Sequence, residues 1–291
     1  MTASDHASTP TLNVQHACPC CRSAIALTST GGLCSRCGFR VVLNNGIYCF
    51  MKPDRTADEW QRTFEDLAAG ESGDTTAGMG FVSPRQHRYL IEAFRQACGQ
   101  GAANARVLDV GCGNGLFNSA LSSSRAVMGV DYSLNMCRLA SKRGMVAYQA
   151  NALALPFADA QFDLVYSSEL AQCVDDVAAL LAELARVCDT NGRVVISTLN
   201  GSSLIRRALR VLRTVHPHPV WGTLRPVVMR TAADLAMAAR GLPLRLDAIY
   251  WTHFPFLWLR RSASVDNVLD WAASNVIVRF VKQAPASDAG Q

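Results

Sequence analysis

The sequence predicts an α/β domain built on a mostly parallel sheet with helices on both faces, preceded by a small cysteine-rich unit. Three observations carry this. From residue 105 onward, short apolar runs alternate with helical stretches. A glycine-rich turn follows the first of those runs. Four cysteines stand as two C-x-x-C pairs near the start. Buried strands separated by helices are the pattern of a parallel sheet covered on both sides.

Residues 1–16 are polar and read as a disordered tail. Residues 17–50 hold Cys18-Pro19-Cys20-Cys21 and Cys34-Ser35-Arg36-Cys37-Gly38. Two such knuckles, 12 residues apart, can set the thiolates of Cys18, Cys21, Cys34 and Cys37 tetrahedrally around a structural zinc ion. Zinc would supply folding energy that so short a segment lacks in its own core. A four-thiolate site keeps no open position, so its expected role is structural. Cys20 lies inside the first knuckle and competes with Cys21 for that ligand position.

Residues 51–82 read as a linker with some helix, including the loop-like run 70–78. Pro84 suits the first turn of a helix with Ser83 as its N-cap, and Tyr89, Leu90, Ala93, Phe94 and Ala97 give it an apolar face. The domain from 83 to 285 then offers strands at 105–110, 126–131, 145–150, 162–167 and 193–199. Helices fit at about 115–124, 134–143 and 175–188. An insertion at 201–230 interrupts the alternation, and a helix near 231–240 and apolar runs at 243–251 and 275–282 close it.

Composition narrows the class. The 291 residues are 49% hydrophobic and 18% charged, enough apolar content for a sizeable core and little for extended disorder. No stretch has the length of a membrane span, and the first ten residues lack an export signal's apolar core, so the expected location is the cytoplasm. Eleven cysteines, an odd number without an export signal, do not read as a disulfide framework. The net charge of +5 is concentrated in residues 201–230, which hold six arginines and no acid. The rest is near neutral, which argues against a general nucleic-acid coat. Within 204–215, Leu204, Ile205, Ala208, Leu209 and Leu212 fall on one side of a helix, with Arg206, Arg207, Arg210 and Arg213 mostly on the other. Such a segment covers a hydrophobic pocket, attracts an acid or rests on an anionic membrane at the inner face.

The most informative stretch is Arg106-Val107-Leu108-Asp109-Val110-Gly111-Cys112-Gly113-Asn114-Gly115, an apolar strand ending in D-x-G-x-G-x-G. Glycines there let backbone approach a ligand closely. Twenty residues after Gly111, Asp131 ends the next strand, where a carboxylate can accept both hydroxyls of a ribose. Dinucleotide enzymes use G-x-G-x-x-G; this G-x-G-x-G with a preceding acid resembles the class I S-adenosylmethionine-dependent methyltransferases over about residues 80–282. Leu155-Pro156-Phe157 and Phe162-Asp163-Leu164-Val165 match the same pattern.

The resemblance implies a Rossmann-like, seven-stranded, mostly parallel sheet and S-adenosylmethionine as cofactor. It implies that Asp109 and the Gly111, Cys112, Gly113, Gly115 turn flank the cofactor's amino-acid end, with Ser167 nearby. By the same carry-over Asp131 holds the ribose, with Tyr132 and Met136 near the adenine. Ala150-Asn151-Ala152 stands where the family usually has a G-D-A-like motif, and Asn151 still offers an oxygen to the adenine amino group, next to Ala152. The stretch Glu169-Leu170-Ala171-Gln172-Cys173-Val174 is similar to the E-x-x-E-H-V of ubiquinone-type O-methyltransferases, which the family uses for a divalent metal. Only Glu169 matches, which puts a metal-assisted mechanism in doubt.

A carboxylate acceptor needs no base, whereas a phenol gains from one. The histidines considered as base are His253, among Tyr250, Trp251, Phe254, Phe256 and Trp258, and His87, on the helix expected to close over the cofactor; His216 and His218 are weaker. The expected function is an O-methyltransferase for a hydrophobic small molecule, either a lipid-like hydroxy-fatty acid converted to a methyl ester or a quinone precursor. Two alternatives stay open at this point: an rRNA guanine-N methyltransferase, disfavoured by a zinc unit with only three arginines, and a non-enzymatic docking module.

Overall fold

The computed structural model describes residues 13–51, 59–69, 84–99, 104–121, 127–204, 207–208, 227–252, 260–262 and 270–284. The cysteine-rich unit is an antiparallel meander of β1 (Leu27–Thr28), β2 (Gly31–Leu33), β3 (Arg40–Asn44) and β4 (Ile47–Cys49). Its last hairpin turns through Asn45 and Gly46, both with positive φ (49° and 83°), the pair that a two-residue turn matched to strand twist demands.

After α1 (Glu59–Ala69) and α2 (Pro84–Cys98) the alternation begins: β5 (Val107–Val110), α3 (Leu116–Leu121), β6 (Val127–Asp131), α4 (Leu134–Lys142), β7 (Val146–Gln149), β8 (Phe162–Ser167), α5 (Val177–Val187) and β9 (Cys188–Leu199). Then come α6 (Ala232–Ala238), β10 (Leu244–Thr252), β11 (Arg260–Ser262) and β12 (Asn275–Lys282). Strands β5 to β9 are parallel, and β12 inserts antiparallel between β9 and β10. The predicted seven strands are therefore present in the order β7-β6-β5-β8-β9-β12-β10. The chain runs outward from β5 through β7 and then returns to β8 on the other side of β5. Open α/β sheets bind ligands at the carboxyl ends of the strands flanking such a reversal.

Strand residues alternate between two cores. Leu108, Val165, Val194, Val278 and Trp251 pack with α5 and α6; Val107, Leu164, Tyr166, Val195, Ile277 and Tyr250 pack with α2. Tyr250 and Trp251 are each 1% exposed on opposite faces of β10, so both are packed core rather than a pocket wall. Helix α2 buries Leu90, Ala93, Phe94 and Ala97 as expected, but Tyr89 is exposed and Ile91 takes its place on the apolar side.

Three expectations change. The cysteine-rich unit is not a separate body: β4 pairs in parallel with β7, Tyr48 opposite Tyr148 and Cys49 opposite Gln149, so one twelve-stranded sheet runs through the described residues. Strand β11 adds an eighth strand to the expected seven. Residues before 17 also pack against the domain. Val14 is buried, the Gln15 N–H donates to Gln161 Oε1 at 2.9 Å, and His16 bridges to Phe157. His16 stacks among Phe50, Tyr148 and Phe157, an aromatic pocket that a purely polar tail would not fill. Of the insertion, residues 227–230 return to the sheet through an Asn200–Arg230 bridge; most of 204–215 lies outside the described residues.

Candidate functional site

The four predicted cysteine sulfurs come together, all within 4.8 Å of one another. Cys18 to Cys37 and Cys21 to Cys34 are each 3.5 Å, close to the roughly 3.8 Å edge of a tetrahedron of thiolates about 2.3 Å from zinc. Cys20 is exposed and stands outside the group. The two knuckles share one geometry. The Arg22 N–H donates to Cys18 O at 2.9 Å, and the Gly38 N–H to Cys34 O at 2.9 Å. Both residues are left-handed, at φ 63° and 74°. Glycine accepts that conformation freely, whereas Arg22 holds it at a cost.

The glycine turn leaves β5 at the switch point. Gly111 and Cys112 donate their N–H groups to Val130 O, binding the turn to β6. Two glycines are sterically required. A Cβ on Gly111 would meet Leu170 at 3.1 Å and one on Gly115 would meet the Ala140 backbone of α4 at 3.1 Å, both at positive φ. Asp131 Oδ2 accepts the Gly113 N–H at 2.8 Å, and Oδ1 accepts the Ser133 N–H at 2.9 Å. Burial, opposed by those amides and reinforced by Glu65, pushes the Asp131 carboxyl up to about 6. Asp109 is 1% exposed, and its Oδ1 finds no hydrogen-bond partner among the described residues. Burial pushes its carboxyl up to about 8, with the Tyr166 phenol opposing and Asp131 adding to the shift.

The remaining predicted contacts vary. Met136 is buried in the first turn of α4, its N–H capped by Ser133 Oγ at 3.1 Å. Tyr132, half-buried, accepts Gln149 Nε2 on its carbonyl. Asn151 Oδ1 already accepts the Leu153 N–H at 2.9 Å, so it caps the loop that carries Ala152. Ser167 is fully buried and donates its hydroxyl to Val110 O at 2.8 Å, which ties β8 to β5. Cys112 is buried, and burial pushes its thiol well up.

Two carboxylates carry weight that the sequence reading did not give them. Glu65, in the expected linker, lies on α1 and accepts the Leu134 and Asn135 N–H groups at 2.6 and 3.0 Å, capping α4 directly after Asp131. Nothing local marks it, because α1 and α4 are far apart in sequence. Glu169 follows β8 in a left-handed conformation, φ 61°. Its N–H donates to Ser197 Oγ, and its Oε1 accepts Asn275 Nδ2 at 2.7 Å and Ser197 Oγ at 3.3 Å. A strained, pinned carboxylate beside the glycine turn is what functional sites hold. Its match to the family stretch was the available signal.

The other two positions of that stretch are structural. Gln172 accepts the Leu199 N–H on Oε1 and the Val228 N–H on its carbonyl. Cys173 is half-buried, and burial and Glu169 push its thiol up to about 12, which disfavours a thiolate at neutral pH. Arg230 is buried and donates to the carbonyls of Ala171, Val174 and Asp175, so this arginine of the insertion anchors the post-β8 loop. His253 lies outside the described residues, as do His216 and His218. His87 falls in the first turn of α2, its side chain outside what is described.

Residues 108–196, from β5 to β9, match a family described as "Methyltransferase domain". The match, over less than a third of the chain, is to a methyltransferase domain. The match contains the glycine turn, Asp131, the Asn151 loop and Glu169. Around this methyltransferase domain the chain is 33% identical over 150 residues to a demethylmenaquinone methyltransferase of Mycolicibacterium paratuberculosis, covering 47% of this chain and 65% of that protein. It is 35% identical over 137 residues to a malonyl-[acyl-carrier protein] O-methyltransferase of Erwinia billingiae, covering 44% and 53%. The matches thus span about half to two thirds of those relatives' length. In fold, the chain resembles a SAM-dependent methyltransferase from Thermotoga maritima (TM-score 0.58, 19% identity, 77% of this chain and 99% of that one). It also resembles geranyl diphosphate C-methyltransferase from Streptomyces coelicolor A3(2) (TM-score 0.55, 14% identity, 78% and 99%). The methyltransferase domain therefore has the Rossmann-like fold expected of it.

Proposed function

We propose that the chain is an S-adenosylmethionine-dependent O-methyltransferase acting on a hydrophobic small molecule, with a structural zinc in its cysteine unit. The observation that carries this is the buried Asp109 whose Oδ1 is left without a partner among the described residues, at the root of a turn locked to Asp131. An orphaned buried acceptor is completed by a donor from outside, and the ammonium of an amino acid is a fitting one. Asp131 keeps a second lone pair on each oxygen for ribose hydroxyls. Met136, Tyr132, Asn151 and Ala152 wall the adenine side. When bound, the cofactor supplies a methyl group on a sulfonium. The chain's part is alignment and exclusion of water for an in-line displacement.

The Erwinia billingiae relative, by name an O-methyltransferase, supports oxygen as the methylated atom. Glu169 stands at the carboxyl end of β8, where the acceptor binds on this reading. A pinned carboxylate there favours a neutral hydroxyl acceptor, since two carboxylates side by side repel. That favours the quinone-precursor class over the hydroxy-fatty acid. The arginines of 204–215 support the opposite choice, an acidic or membrane-delivered acceptor met at the inner membrane face. No described helix is long and apolar enough to cross a membrane.

Incubation with methyl-labelled cofactor and a cell extract separates these. Label in the organic phase that survives alkali but is released as methyl iodide by hydriodic acid is a methyl ether and supports the hydroxyl acceptor. Alkali-labile label is a methyl ester and supports the acid. RNA-bound label overturns both in favour of the rRNA reading, and no transfer despite cofactor binding leaves a docking module.

A further inference from the structure

The left-handed Arg22 ends the first cysteine knuckle, and its side chain leaves the cysteine unit altogether. Its guanidinium grips the buried Glu183 of α5 with two bonds, Nη2 to Oε1 at 2.7 Å and Nη1 to Oε2 at 3.1 Å, and also donates to Leu155 O at 3.3 Å. Glu183 Oε2 in turn accepts the Leu155 N–H at 2.8 Å. The same loop is stitched to the unit's first residues. The Ala17 N–H donates to Pro156 O at 3.1 Å and the Ala158 N–H to Gln15 O at 2.8 Å. Just upstream, the Phe50 N–H donates to Gln149 O at 2.7 Å, one residue before Ala150. The segment 150–158 is thus held at both ends by the cysteine unit.

We infer that the first cysteine knuckle positions the cofactor-side loop 150–158 of the methyltransferase domain, with Arg22 as the positioning residue that transmits the knuckle's geometry to Leu155. The inference rests on the reading of Asn151 and Ala152 as cofactor wall. The physical argument is that a tetrathiolate centre fixes the backbone of Cys18–Arg22, and a bidentate arginine converts that fixed backbone into a fixed partner for Glu183. The competing arrangement is α5 alone. Arg186 also binds Glu183, donates to Leu155 O at 3.1 Å and to Phe157 O at 2.7 Å, and needs no zinc.

The test uses the full chain, with Arg22→Asn, which tolerates the left-handed backbone, and Arg22→Lys, which keeps the charge but not the fork. Zinc content, S-adenosylhomocysteine affinity by calorimetry and amide hydrogen exchange of the cofactor-free protein are measured. The expected result for Arg22→Asn is unchanged zinc, exchange at least tenfold faster at Leu155 and Ala158, and affinity about fivefold to twentyfold weaker, with Arg22→Lys in between. Chelation of the metal from the wild type gives the same exchange pattern. Unchanged exchange and affinity in Arg22→Asn overturn the inference and leave Arg186 sufficient. A wild type that binds no S-adenosylhomocysteine overturns the functional reading instead, and the exchange data alone then decide whether the knuckle positions the loop.

Discussion

Asp131 Oδ2 and the Gly113 amide, 18 residues apart in sequence, meet at 2.8 Å and join the end of β6 to the middle of the glycine turn. One carboxylate therefore shapes the turn and faces the proposed ribose. An asparagine in its place removes the charge and leaves one oxygen to accept from either the Gly113 or the Ser133 amide, not both. Asp131→Asn is expected to weaken S-adenosylhomocysteine binding by about 1.5–3 kcal/mol, the worth of hydrogen bonds to a charged group, as read by titration calorimetry. A loss under twofold would show that the carboxylate serves only the turn.

The cofactor-free protein is expected to lose stability as pH rises. The Asp109 carboxyl sits at about 8 in the folded chain against an ordinary value of 3.8. Between those values the folded state holds a proton that the unfolded state releases, so the contribution is full below the ordinary value and declines as pH rises toward about 8. Melting temperature should fall from pH 5 to 8, and Asp109→Asn should flatten the fall. Superimposable profiles for wild type and variant would contradict it.

Glu65 caps α4 from a helix far upstream. An anion at a helix N-terminus contributes about 0.3–1 kcal/mol, up to about 2 in partly buried geometry. Glu65→Gln should lower stability by that amount in denaturant titrations. It should also lower the Asp131 carboxyl, because the charge of Glu65 helps raise it. Asp131 followed by NMR in the variant checks the direction.

Cys34→Ser should do more than unfold a peripheral unit. Since β4 hydrogen-bonds to β7, the loss is expected to reach the methyltransferase domain as a lower melting temperature for the whole chain, together with loss of zinc from metal analysis. Two separate transitions, with the second unmoved, would show that the units fold independently.

The fold was legible wherever its chemistry is local. Asp109, Gly111, Gly115 and Asp131 stand out because strand, turn and helix follow one another, and the pattern of types suffices to place them. Ser133 and Asp176 cap α4 and α5 from within a few residues. What was not legible depends on partners distant in sequence. Glu65 looks like any helix acid until α4 lies over it. Arg22 and Glu183, separated by 161 positions, carry no shared signal. The Asn45-Gly46 turn was a local cue to the hairpin, but nothing in the sequence says that its second strand, β4, continues into the sheet of the following domain. Ser167, expected near the cofactor from the family resemblance, ends β8 fully buried, and its tie to Val110 is a contact that only the folded sheet shows.

That continuous sheet has a consequence for solubility. Without the cysteine unit, β7 would present a row of unsatisfied backbone groups to any passing chain, a template for intermolecular pairing. With the unit in place the boundary moves outward, through β4, β3 and β2, to the two residues Leu27–Thr28, too short to recruit a neighbour. The proposed zinc site, remote from the glycine turn, would thus hold in place the strands that cover the β7 edge.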